Sequence, residues 1–167
     1  MVVRDIKTNA RVEHSSDGRR SMSRRSRDTV AHYLGEQGWP FDVVDDVTLT
    51  VRLWLAGREL YCTLKTPHEA FVMTSRFPFQ VSTDKRGQVL GMVARDNCRP
   101  VVSSLYLNPD TGETGIKTAI PVEDGYLSFA GVGQIINCNL QSAEQWIAVL
   151  EETCDSDDSG DSDDASD

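Results

Sequence analysis

The stretch Val47–Thr66, VTLTVRLWLAGRELYCTLKT, alternates twice over. Val47, Leu49, Val51, Leu53 and Leu55 are interleaved with Thr48, Thr50, Arg52 and Trp54. After Ala56-Gly57, Leu60, Cys62 and Leu64 are interleaved with Tyr61, Thr63 and Lys65. A period of two puts one set on each side of a strand. Two such runs around a short glycine turn predict an antiparallel hairpin. One face of that hairpin has to be buried. The other carries Thr48, Thr50, Arg52, Trp54, Tyr61, Thr63 and Lys65.

Working outward, a second hairpin is predicted over Ser103–Val122. Leu105, Leu107, Ile116 and Ile120 form its apolar face, and Asn108-Pro109-Asp110-Thr111-Gly112 the turn. EAFVMTSRF, Glu69–Phe77, reads as a third, weaker strand lying between Pro67 and Pro78. Three segments change to helical spacing. Over Asp28–Gln37, Val30, Tyr33, Leu34 and Gln37 repeat, with Ser26 or Asp28 as the cap and Gly38 as the stop. Over STDKRGQVLGMVARDNC, Val89, Leu90, Val93 and Asn97 share a face, with Ser82, Thr83 or Asp84 as the cap and Arg99-Pro100 as the end. Over 127–152, Val132, Ile135, Ile136, Asn139, Leu140, Ala143, Trp146, Ile147 and Leu150 follow the spacing of one buried helix face, with a break allowed near Asn139–Ser142. The element order is α-β-β-β-α-β-β-α. It predicts an α+β domain whose antiparallel sheet has its helices packed mainly on one face.

Charge divides the chain into three parts. Residues 1–27 carry eight Lys/Arg against three acids, residues 28–152 nine against sixteen, and residues 153–167 seven Asp and no base. The reading is a disordered Arg/Ser-rich arm over 1–26, one α+β domain over 27–152, and a disordered Asp/Ser-rich tail over 153–167. The acidic domain is unsuited to holding a phosphate backbone, which leaves the arm, with RRSMSRRSR, as the part open to nucleic acid. No apolar run approaches the roughly 18 residues of a membrane span, and the N-terminus lacks the apolar core of a signal peptide. The expected setting is cytoplasmic.

No catalytic or metal motif emerges. Cys62, Cys98, Cys138 and Cys154 are too widely spaced for zinc, and His14, His32 and His68 do not complete a ligand set. Asp45-Asp46 are adjacent, so they point opposite ways along an extended chain. GVGQII lies in a helical pattern without a third glycine, and NPDTGETG is not followed by GK[ST]. No cofactor is expected, and an enzyme of unrecognised type is the weakest of three readings. The candidate residues are therefore contact residues: Arg52, Trp54, Tyr61 and Thr63 on the polar sheet face, and Met92 on the second helix. Large amphipathic side chains on an otherwise polar face are what protein interfaces use.

The element order, together with WLAGRELYCTLKT, the helix DKRGQVLGMVARDN, the turn YLNPDTGETGIKTAIPV and the long closing helix, resembles a YbjN-type domain over about residues 28–152. Asn97 fits the asparagine expected near the end of the second helix. The resemblance implies the fold of class I type III secretion chaperones, and a small non-enzymatic, often dimeric domain that acts as a regulator or chaperone-like binder. The arm and the tail lie outside the family pattern. The partner expected is thus a protein client or a second copy of the chain, and the alternative is a nucleic-acid-associated regulator that uses the arm.

Arginine outnumbers lysine 13 to 4 and aspartate outnumbers glutamate 17 to 9, a balance that suits a salt-adapted protein. If the chain is halophilic, added NaCl screens its self-repulsion, and the urea midpoint should rise with salt. A midpoint that falls as NaCl is added overturns that reading.

Overall fold

The computed structural model describes residues 16–67, 69–98, 102–122 and 126–155, with the side chains of 16–22 and of 155 left aside. The elements in chain order are α1 (Ser16–Glu36), β1 (Phe41–Val43), β2 (Thr48–Leu55), β3 (Arg58–Lys65), β4 (Ala70–Gln80), α2 (Arg86–Asn97), β5 (Ser103–Leu107), β6 (Glu113–Pro121) and α3 (Phe129–Asp155). Six strands form one antiparallel sheet in the order β1-β2-β3-β4-β6-β5. The α+β architecture predicted from the sequence is the one found, with one short strand, β1, added ahead of the first hairpin.

The hairpin β2–β3 pairs Leu49 with Leu64, Val51 with Cys62 and Leu53 with Leu60, all of them buried. Its turn is Ala56-Gly57, at φ 50° and 78°. Both turn residues are left-handed, which matches the twist of the two strands, and glycine takes such a φ without strain. Leu105 pairs with Ile116 across β5–β6, again inside the core. Helix α3 presents Val132, Ile135, Ile136, Ala143, Ile147 and Leu150 to the same cluster, joined by Val30 and Leu34 of α1 and Val89 of α2. All the helices therefore use a single side of the sheet.

Four expectations are corrected. Helix α1 starts at Ser16, not Asp28, so residues 16–26 of the supposed disordered arm are helical, and Ser26 and Asp28 lie inside the helix instead of at its start. Ser23 and Ser26 are buried and extend the stripe of Val30 and Leu34 at spacings of three and four. Small polar residues carry that face, so an apolar period could not show it, while the arginines between them are good helix formers. Secondly, α2 begins after Lys85 with no side-chain cap, and Ser82, Thr83 and Asp84 precede it. Arg86 instead holds the β5–β6 turn, donating from NH1 to the carbonyls of Pro109 and Asp110 at 2.8 and 3.0 Å. Thirdly, Leu90 is exposed because α2 rides on the edge strand β5 and buries only the narrow stripe around Val89. Fourthly, α3 runs unbroken through Asn139–Ser142. The side chain of Asn139 bonds to the sheet, so it does not compete with its own helix backbone. The Arg99-Pro100 stop, residues 1–15 of the arm and the tail beyond Asp155 lie outside the described residues.

Asn139 is fully buried above the junction of β4 and β6, the one neighbouring pair in the sheet that is not consecutive in sequence. Its Nδ2 donates to Thr118 Oγ1 at 2.9 Å and to the carbonyls of Met73 and Ile116 at 3.3 and 3.4 Å. Its Oδ1 accepts from the Ser75 hydroxyl at 2.5 Å. Thr118 in turn meets Ser103 at 2.8 Å, and Ser75 meets the Cys62 thiol at 3.2 Å. One asparagine thus ties α3 to both strands at the junction. Gly115 permits the same approach of β4 and β6, since a Cβ there would stand 2.1 Å from the Ser75 carbonyl oxygen.

Asn139→Ala strands several buried polar groups at once and is expected to cost about 2–4 kcal/mol in urea unfolding, well above a surface substitution. A loss below about 0.5 kcal/mol shows that the junction does not depend on it. Burial pushes the Cys62 thiol from 9.0 up to about 11, against the opposing effect of the Ser75 contact. Below pH 9 both folded and unfolded chains hold the neutral thiol. Above it the unfolded thiol ionises first, so stability is lost as pH climbs towards 11. In Cys62→Ala the decline that begins near pH 9 should become shallower, and an unchanged slope rejects the assignment.

Candidate functional site: the open sheet face

No described helix covers the far side of the sheet. Successive strands place their outward residues in register there. One row runs Asp42, Thr50, Thr63, Thr74, Lys117 and Ser104. The next runs Arg52, Tyr61, Arg76, Gly115 and Tyr106. Beyond it Trp54 faces Glu59. The first row is polar and short. The second alternates guanidinium and phenol, with glycine between Arg76 and Tyr106.

The second row is organised by charge. Arg76 lies over the Tyr61 ring at 5.1 Å and pairs with Glu113 at 3.3 Å. Tyr106 donates its hydroxyl to Glu113 at 3.3 Å. Burial, then the Glu113 charge, pushes the Tyr106 phenol well above its ordinary range, so it stays a neutral donor. Arg52 and Glu59 lie 3.7 Å apart, both well exposed. Such a pair contributes little by itself and is free to exchange partners. Trp54 is 74% exposed at the end of the row.

Two shallow depressions flank this ridge. One, of about 250 Å³, is lined by Arg52, Glu59, Tyr61, Arg76, Phe77 and Pro78. The other, of about 410 Å³, lies between Pro40, Phe41 and Asp42 on one side and Thr50, Arg52 and Tyr61 on the other. Arg52 and Tyr61 border both.

Of the residues singled out in the sequence, Arg52, Trp54, Tyr61 and Thr63 share this face. Thr63 is half-buried in the polar row. Thr48, read as exposed, is buried beside Val44 and Asp45, whose backbone N–H groups donate to its carbonyl. Met92 is not brought here. It sits on α2, against the core, near β5 at the opposite end of the sheet. Arg76, Tyr106 and Glu113 were missed. The alternation of Phe71, Met73 and Phe77 could have set Arg76 outward, and that of Leu105 and Leu107 could have done the same for Tyr106. Their meeting with Tyr61 depends on the β4–β6 pairing, which no local pattern displays.

Chemistry elsewhere is sparse among the described residues. His32 makes no ion pair, and its ring lies 5.6 Å from that of Phe129. His14 and His68 lie outside the described residues. No three His, Cys, Asp or Glu side chains there come together as a metal site, and no described helix is long and apolar enough to cross a membrane. Cys62, Cys98, Cys138 and Cys154 form no disulfide.

An antiparallel sheet with its described helices on one side and a charged-aromatic face on the other defines a small α+β domain. Residues 26–152 match the sequence pattern of the YbjN family, described as "Putative bacterial sensory transduction regulator", and the chain belongs to that family. Its fold is similar to that in the crystal structure of YbjN, a putative transcription regulator from E. coli. The TM-score is 0.56 at 11% identity, over 75% of this chain and 89% of that one. No curated protein matches the sequence.

Proposed function

We propose that the chain is a non-enzymatic regulatory or chaperone-like domain that meets a protein, a client or a second copy of itself, through the open sheet face. One observation carries this reading: Trp54, Arg52, Tyr61 and Arg76 are gathered on the side of the sheet that no described helix covers. Aromatic and arginine side chains are the residues that dominate binding energy at interfaces. The ridge is held from behind by the core, so little order is lost on docking. Membership of a family described as regulatory agrees with it. The reduced thiols suit a cytoplasmic setting.

The second reading, a nucleic-acid-associated regulator, gains one point. RRSMSRRSR lies within α1, so its arginines are mounted on a helix instead of a structureless arm. The E. coli protein of similar fold is itself described as "a putative transcription regulator". Against it, the domain that carries α1 is strongly acidic.

Sedimentation over a wide concentration range tests the leading reading. Self-association is expected, weakened roughly a hundredfold in Trp54→Ala/Tyr61→Ala, because two exposed aromatic anchors are removed. The thermal midpoint should barely move, since both side chains face water. A strict monomer with no co-purifying protein, or association indifferent to the double substitution, overturns it.

A further inference from the structure

We infer that the groove between α1 and the start of α3 binds a mononucleotide, its phosphate on Arg24 and Arg25 and its base on the aromatic wall of Tyr126 and Phe129. This goes beyond the sheet-face reading and does not rest on it. The groove measures about 600 Å³, larger than either depression on the sheet face, and is lined by Arg24, Arg25, Asp28, His32, Tyr126 and Phe129 among others. It is an open surface groove, along which a ligand would lie with one side in water.

Among the described residues the charges lining the groove are not balanced internally. Its one described carboxylate, Asp28, is held by the neighbouring Arg27, whose Nε and NH2 donate to Oδ1 at 3.1 and 2.6 Å. Arg27 also reaches Asp46 at 3.6 Å. The side chains of Arg24 and Arg25 have no ion pair or hydrogen bond among the described residues, and both are exposed. Two adjacent guanidiniums that pair with no described side chain give the described part of the groove a positive character, in a chain of net charge −9. Guanidinium forks match phosphate geometry.

The opposite wall is aromatic. Tyr126 is 72% exposed and Phe129 41%. Phe129 is fixed from behind by Tyr33 at 4.8 Å and His32 at 5.6 Å between ring centroids. A ring held in place offers a stacking surface at little entropic cost. Inorganic phosphate would leave this wall bare, and a neutral ring would leave the arginines bare. A ligand that carries both a phosphate and a flat base answers both. A polymer is disfavoured, because its further phosphates would run onto a domain in which acids outnumber bases sixteen to nine.

Calorimetric titration of the full chain with adenosine, guanosine, cytidine and uridine 5′-monophosphates tests the assignment. At least one should bind, with its nucleoside and inorganic phosphate each weaker by about tenfold or more. Arg24→Gln/Arg25→Gln and Tyr126→Ala should each weaken it by at least about tenfold. These side chains face water, and an unchanged circular dichroism melt confirms that the fold is retained. Trp54→Ala/Tyr61→Ala should bind the nucleotide like the parent chain, which separates this site from the sheet face. Four outcomes overturn the inference. They are no nucleotide binding, binding indifferent to the arginine pair, phosphate alone binding as tightly as the nucleotide, and a single-stranded oligonucleotide binding more tightly with a steep salt dependence.

Discussion

The fold hangs on the contact of Asn139 with the junction between β4 and β6. The sheet is assembled from two locally connected pieces, the meander β1–β4 and the hairpin β5–β6, with α2 between them. Each piece can form from neighbouring chain. Joining them is a non-local event whose loop-closure cost has to be met by contacts made only in the native state. Asn139 supplies such contacts from above, reaching Ser75 and Met73 on one strand and Thr118 and Ile116 on the other. Gly115 supplies the matching closeness of the two backbones. A buried amide is costly unless it is satisfied, so the helix has one favourable register over the sheet, in which the amide finds its partners.

That register has consequences at both ends of α3. At its start, Gly133 lies beside the Tyr33 ring and Phe129 packs on it, which positions α1. Near its end, Glu151 accepts from Arg58, the residue that follows the Ala56-Gly57 turn, and braces the tip of the first hairpin. Helix α2 closes the far edge, where Asn97 Nδ2 donates to the Leu105 carbonyl at 3.0 Å. The opposite edge is only partly closed, since β1 pairs with three residues of β2 and Pro40, which lacks an N–H, precedes it. The three described helices are thereby committed to one face, and no described element covers the other.

A free face is not inert. On it, residues from β2, β3, β4, β5 and β6 form one charged and aromatic row, which is rigid because the alternate residues of the same strands are locked in the core. Fold likeness to the E. coli protein extends to the architecture and leaves the partner to be argued from such surfaces.

Alternation and helical spacing are properties of short stretches, and they made much of this protein legible. The hairpin over Val47–Thr66, the core faces of β5, β6 and α3, the Gly38 stop at φ 69° and the outward setting of Arg52, Trp54, Tyr61 and Thr63 all follow from which residues a strand or helix must hide. Where the inward face was small or polar the signal vanished. Ser23 and Ser26 concealed the first half of α1, and Ser75 interrupted the reading of β4. Only the tertiary structure decided that β4 lies against β6, that Arg76 therefore caps Tyr61, that Met92 sits far from both, and that Arg24 and Arg25 face Tyr126 across a groove. Those meetings join residues distant along the chain, and they are set by how packed layers fit together, a quantity that no local period encodes.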